Sequence, residues 1–207
     1  MSELKLMIVD DHALVRLGLK ASLQMEPDFR VVGEASTGEQ ALEKYEECRP
    51  HVSLIDLRLP GMNAFEVITL LRAKHPEAKV IIVSTFQGRE DIYRAFQAGA
   101  KTYLPKSIPR PELIAAIRAV SAGEGYIPPT IASRLTERLK RSDLTTREME
   151  VLKLLVRGET NKEIAKALSL AEVTVKLHTG KIFEKIGARD RTEATWIAIE
   201  TGLVWVD

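Results

Sequence analysis

The chain has 207 residues, 45% of them hydrophobic and 29% charged, with a formal net charge of +1. That length holds one large domain or two small ones with real cores, and the balanced charge singles out no polyanion, membrane surface or acidic substrate. Cys48 is the single cysteine, which excludes an internal disulfide and a cysteine metal cluster. The first apolar run, residues 6–9, is short and ends on two acids, so it reads as neither leader nor membrane span. A cytoplasmic address with no membrane partner is expected.

In chain order, LKLMIVD is apolar and then acidic, a strand ending at Asp10 and Asp11. Residues 12–25 carry Leu14, Val15 and Leu17 at helical spacing. Strands follow at 30–35, 52–56, 79–84 and 101–104, separated by helices at 39–48, 65–74, 90–97 and 109–121, the last with proline just inside its start. This alternation over about 120 residues is the pattern of a doubly wound parallel α/β sheet.

The stretch 51–63, HVSLIDLRLPGMN, sets the functional reading. Its apolar run reads as a buried strand that ends in Asp56 and breaks at Leu59-Pro60-Gly61, placing a carboxylate at the C-terminal mouth of the sheet. Alone, Asp56 suits a turn, Asp10 or Asp11 a helix cap, Ser84 a loop hydroxyl and Lys106 a solvated charge. In a sheet ordered 2-1-3-4-5, however, strands one and three flank the switch point. Three carboxylates, the Ser84 hydroxyl and the Lys106 ammonium then converge there. Three close carboxylates repel unless a cation is present, and a hard ion, Mg²⁺ above all, resolves the conflict. Asp56 then serves as a nucleophile toward phosphorus, with Lys106 and Ser84 holding phosphoryl oxygens.

VDDH at 9–12, the Asp56 strand with LPGM after it, IIVS at 81–84 and AGAKTYLPK at 98–106 stand in the order and spacing of one family. Residues 1–121 resemble a response-regulator receiver domain, a flavodoxin-like five-stranded fold. The resemblance implies that Asp56 is the phosphoacceptor. Asp11, Asp56 and the Arg58 carbonyl would hold Mg²⁺, with Asp10 acting through water. Ser84 would be the switch hydroxyl, Tyr103 the aromatic partner and Lys106 the phosphoryl-binding cation. Asn63-Ala64 departs from the usual Asp-Gly, which questions a positive φ at Ala64. Ser107 stands where many receivers have proline.

Residues 122–143 change character. Gly123, Gly125, Pro128 and Pro129 mark a linker, and Arg134, Arg138, Lys140 and Arg141 follow, with a short helix expected over 131–140. From Leu144 the pattern is helical. Thr145–Glu148 and Thr160–Glu163 read as capping boxes, Gly158 and Gly187 as stops, and Asp190–Glu193 as a third helix start. Four helices with a tight break at Ser169-Leu170 form a helix-turn-helix arrangement. In the third, Val175, His178, Ile182 and Ile186 make the core stripe, which favours a packed His178. The opposite face carries Thr174, Lys176, Leu177, Gly180, Lys181 and Glu184. Lys176 would meet a guanine edge and Leu177 a thymine methyl, with Thr174, Lys181 and Lys162 at phosphates. From Asp143 onward ten basic residues face eleven acidic ones, so composition alone favours a four-helix interaction module.

LTTRE at 144–148, NKEIA at 161–165, TVKLH at 174–178 and RTEA at 191–194 carry a second resemblance, to the LuxR/NarL-type DNA-binding domain. It implies base contacts from Lys176 and its neighbours, and dimerisation through the last helix with Trp196. Ala171 stands where a serine usually caps the recognition helix, Gly180 where a polar residue is usual and Glu184 where a basic one is common. Receiver (1–121), linker (122–143) and DNA-binding domain (144–207) together imply a two-component transcription regulator. A histidine kinase would phosphorylate it with Mg²⁺, and it would bind double-stranded DNA at two-fold related half-sites as a homodimer. It is expected to be no enzyme beyond self-phosphotransfer and autodephosphorylation. The rival readings are an aspartyl-phosphate phosphatase and a protein-interaction adaptor.

Overall fold

The computed structural model describes residues 3–139 and 143–205. Lys140 and Arg141 of the basic run, and the last residue of the helix expected over 131–140, lie outside the described residues. Apolar runs such as VIIV and, apart from Ser53, VSLI suit strands covered on both faces, and they form the centre of one sheet. Its strands are β1 (Leu4–Val9), β2 (Phe29–Ala35), β3 (Val52–Ile55), β4 (Val80–Ser84) and β5 (Thr102–Pro105). All pair in parallel, in the order β2-β1-β3-β4-β5, as expected from the alternation.

The crossovers are helices α1 (Ala13–Leu23), α2 (Gly38–Cys48), α3 (Ala64–Lys74), α4 (Arg89–Ala98) and α5 (Arg110–Ala122). On one face of the sheet Leu6, Ile8, Leu54, Ile81 and Val83 pack against Leu113 and Ile117 of α5 and Leu23 of α1. Each such side chain contributes about 1.5–3 kcal/mol through burial.

The loop before α3 takes its positive φ at Gly61 (+74°). Asn63 is the N-cap of α3, in a capping box with Glu66, and Ala64 is the first helical residue. The doubt over Ala64 therefore does not arise, since the residue lies inside the helix.

Helix α6 (Pro129–Leu139) follows, and α7 (Thr146–Val156), α8 (Asn161–Ala167), α9 (Glu172–Ile186) and α10 (Arg191–Glu200) complete the described elements. Packing divides the chain into Met1–Gln87 with Ile92–Ala132, and Ser133–Asp207 with Gly88–Asp91. In the second unit Val151, Leu152, Leu155, Ile164, Val175, Ile182, Ile186 and Ile197 form one core. Both anticipated capping boxes are present, at Thr145 with Glu148 and at Thr160 with Glu163, and the Asp190 side chain caps α10 by accepting from the Glu193 N–H. Each such cap satisfies N–H groups that a helix cannot pair internally.

Candidate functional site

Strand register sets the site. Val9 lies opposite Ile55, so the next residues, Asp10 and Asp56, leave the sheet side by side. Ser84 lies opposite Pro105, and Lys106 follows. The Lys106 Nζ stands 2.6 Å from Asp10 Oδ2 and 3.0 Å from Asp56 Oδ2. Asp10 is 2% exposed and Asp56 6%, so one ammonium joins two buried carboxylates. The second Asp56 oxygen accepts from the Leu57 N–H at 2.8 Å, which fixes the carboxylate plane.

Burial pushes the Asp56 carboxyl above its ordinary value, and the Lys106 charge and hydrogen bond draw it part of the way back. Burial also works against the Lys106 ammonium. Hydrogen bonds and charges from Asp10 and Asp56 outweigh it and hold the lysine above its ordinary value, so it stays charged at neutral pH.

Asp10, Asp11, Asp56 and His12 each bring one donor atom within 4.8 Å of the others. Sequence reasoning assigned no role to His12, whose Nδ1 is 2.6 Å from Asp11 Oδ1. Facing oxygens at the mouth of the sheet are the donor set that a hard divalent ion takes. The acidic cluster fits such an ion.

Ser84 and Tyr103, both fully buried, converge on one residue that the sequence did not single out. Ser84 Oγ accepts from the Phe86 N–H at 3.1 Å, and the Tyr103 hydroxyl donates to the Phe86 carbonyl. The Arg58 guanidinium lies over the Phe86 ring, 3.6 Å from its centroid. Both switch candidates thus hold the backbone of the loop after β4. The signal available in sequence was only an aromatic two residues beyond Ser84.

In the helical unit α9 buries Val175, Ile182 and Ile186 and exposes Val173, Lys176, Leu177, Gly180, Lys181 and Glu184. Lys162, in the first turn of α8, is exposed too. Thr174 differs from expectation. It is half-buried, because it lies one turn before the half-buried His178 on the flank of the apolar stripe. Ser169 makes the break between α8 and α9 with φ +54°, and Ala171 caps α9 with no side-chain bond. Trp196 on α10 is 61% exposed.

A lysine-clamped carboxylate pair at the C-terminal edge of a 2-1-3-4-5 sheet, followed by a helix-turn-helix unit, defines a receiver joined to a regulatory module. Residues 6–118 match the response regulator receiver domain, and residues 142–198 match the luxR family of bacterial regulatory proteins. The chain belongs to the response-regulator family and carries a luxR-type DNA-binding domain. It is 34% identical over 206 residues to the response regulator protein VraR of Staphylococcus aureus (strain Mu3), covering 97% of this chain and 99% of VraR.

Among solved structures it resembles ChrA, the response regulator of a heme-sensing two-component system. Identity is 32% and the TM-score 0.59, over 99% of this chain and all of that one. It shares the fold of RcsB from Salmonella enterica serovar Typhimurium, solved bound to a promoter with the phosphomimetic BeF₃⁻, at 21% identity and TM-score 0.76. That match covers 96% of this chain and 99% of RcsB. No helix among the described residues is long and apolar enough to cross a membrane.

Proposed function

We propose that this protein is a phosphorylation-controlled transcription regulator of a two-component system, acting in the cytoplasm. Residues 1–121 would receive the phosphoryl group and residues 144–207 would bind DNA, joined by 122–143. The observation that carries the reading is the Lys106 ammonium within 2.6 and 3.0 Å of two buried carboxylates. That ammonium, 14% exposed, gives the site a fixed positive charge beside the nucleophile.

In the proposed reaction an Asp56 oxygen attacks the phosphorus of a histidine kinase's phosphohistidine. An O–P bond forms, the P–N bond breaks, and the imidazole leaves with the electron pair. Lys106 turns from Asp56 to a phosphoryl oxygen, and Ser84 exchanges the Phe86 N–H for another. Asp10, Asp11 and Asp56, with the Arg58 carbonyl, would hold Mg²⁺, which supplies positive charge against the phosphoryl oxygens when bound. Because Ser84 and Tyr103 both hold Phe86, release of its N–H frees the loop after β4. Phosphorylation then binds one of two loop states preferentially, which any such switch needs.

The regulator would act as a homodimer, with Trp196 on the exposed side of α10 at the contact, on half-sites about one helical turn or a multiple apart. Lys176 and Leu177 would read bases, while Lys181, Lys162 and the flank at Thr174 would meet phosphates. Gly180 lets the helix approach the groove closely. The protein turns over no external substrate in this reading.

The test is intact mass and oligomeric state, with a small phosphodonor and Mg²⁺, for the wild type and Asp56→Ala. Gain of one phosphoryl group and dimerisation in the wild type alone supports the proposal. An unmodified wild type overturns it. The net acidic charge of the helical domain favours one second reading, a protein-interaction module. Salt-dependent binding of double-stranded DNA by the full chain would exclude it.

A further inference from the structure

At the N-terminal edge of the sheet, the edge away from Asp56, lies a cleft of about 310 Å³, at the small end of the range for ligand sites. Tyr45 of α2, His51 ahead of β3, and Glu77 and Lys79 ahead of β4 line it, with Ser121 near the end of α5. Helices α2, α3 and α5 end on this side, and their free carbonyls draw cations. That accounts for Lys79, whose Nζ donates to the Ser121 carbonyl at 2.6 Å. It does not account for Tyr45. This residue is 4% exposed, and its ring is held against the His75 ring, centroids 5.2 Å apart. Its hydroxyl nevertheless makes no hydrogen bond among the described residues, where a buried tyrosine hydroxyl usually has a partner. Burial pushes that hydroxyl above its ordinary value, so the O–H is intact at neutral pH and available to donate.

The neighbouring Arg49 and His75 are committed to each other and to Glu46. Arg49 donates to His75 Nδ1 at 2.8 Å, and His75 Nε2 donates to Glu46 at 2.9 Å. Three donors remain for a ligand. Lys79 keeps two N–H groups beyond its Ser121 bond. His51 accepts the Lys5 N–H at Nδ1, 3.0 Å away, and so carries its ring proton on Nε2. Tyr45 offers its O–H. One acid, Glu77, stands beside them, 75% exposed and 3.9 Å from His75 Nδ1. Three donors with one carboxylate match a ligand that carries both a carboxylate and an ammonium. A dianion such as phosphate would set two negative charges near Glu77 with one lysine to balance them. Pro50 and the Tyr45 ring supply the apolar wall, and the volume admits only a small side chain. We infer that this cleft binds a small zwitterionic amino acid, its carboxylate on Tyr45, Lys79 and His51 and its ammonium toward Glu77. The site stands at the opposite edge of the sheet from the phosphoacceptor and is separate from its chemistry.

The experiment uses the full ¹⁵N-labelled chain, titrated at constant ionic strength with glycine, alanine, serine, proline and valine. Amide shifts of residues 45–51 and 77–80 report binding. The tightest of the five is then compared with its amide, which lacks the carboxylate, its N-acetyl form, which lacks the ammonium, and inorganic phosphate. Tyr45→Phe keeps the ring and its stacking and removes only the hydroxyl, and Lys79→Met removes the ammonium. Expected are saturable shifts with at least one amino acid and about tenfold weaker binding of both derivatives. Binding about tenfold weaker is also expected in Tyr45→Phe and in Lys79→Met. No saturable shift with any of the five, or equal affinity in Tyr45→Phe, overturns the proposal. An amide or a phosphate that binds as tightly as the free amino acid overturns the choice of ligand. Binding retained in Asp56→Ala supports a site separate from the phosphoacceptor, and its loss there overturns that separation.

Discussion

Replacing Lys106 by methionine keeps an unbranched apolar stem of nearly the same length and removes the ammonium. Asp10 and Asp56 are then left buried and facing one another, having lost contacts of 2.6 and 3.0 Å. Breaking a buried pair on one side costs about 3–5 kcal/mol. Here Lys106 is itself 14% exposed and one carboxyl can relieve the repulsion by taking a proton, which places the expectation at the lower end, about 3 kcal/mol at neutral pH. Asp56 already lies above its ordinary value because of burial, with Lys106 as the main opposing influence. Loss of the lysine raises it further. A raised folded-state carboxyl binds protons more tightly than the unfolded chain does, so the penalty shrinks as pH falls and grows as pH rises through that value.

A divalent ion should restore part of the loss. At a hundredfold excess over its dissociation constant an ion stabilises the native state by about 2.7 kcal/mol, and in the variant it no longer competes with the ammonium. The assay is urea unfolding of the full chain read by hydrogen exchange of β1 and β3 peptides, with MgCl₂ and with chelator. Loss near 3 kcal/mol without the ion, and a larger gain from Mg²⁺ in the variant than in the wild type, is the expected result. A variant within 0.5 kcal/mol of the wild type under chelation would refute the account of the clamp.

Three further outcomes follow from the helical unit. Ala171→Ser restores a missing helix cap and Gly180→Ala adds a Cβ that meets nothing within 4 Å, for gains of about 0.5–2 and about 1 kcal/mol. Trp196 and Trp205 are the two tryptophans and both lie in this unit, so their fluorescence should report melting several degrees higher; a lower midpoint would contradict the described α9. Glu148, 3% exposed, accepts from Lys185 at 2.7 Å and from the Thr145 N–H at 2.8 Å. Burial pushes its carboxyl up, but these bonds outweigh it and leave it below its ordinary value. Its stabilising effect is therefore present above the unfolded carboxylate value and lost as pH falls through the folded one. Glu148→Gln should cost about 1–3 kcal/mol at pH 7 and much less in acid; an equal loss at both would count against the pairing. On DNA, Lys176→Ala should cost about 1–3 kcal/mol and relax sequence preference, while Lys181→Ala should weaken all sequences alike and lower the salt slope by about 1. Identical behaviour of the two variants would remove the division into base and phosphate contacts.

Sequence alone determined the parts whose cause is local or periodic. Continuous apolar runs such as VIIV specify strands covered on both faces, and Thr145 with Glu148 writes a helix start from local chemistry. Their alternation settles the sheet class, and the ends of those strands settle that Asp10, Asp56, Ser84 and Lys106 share one mouth. Tertiary structure decided what no spacing encodes. Register set Asp10 beside Asp56 and gave Lys106 two partners rather than one. The loop after β4 brought Phe86 to both Ser84, its near neighbour, and Tyr103 on β5, a contact across the chain that depends on how the loop closes. The turn at Asp10 swung His12 over the carboxylates, where periodicity gave it only a place at a helix start. Thr174 went to the flank of α9 because burial there is set by neighbouring helices, and a helical wheel fixes only the direction, not the depth, of each side chain.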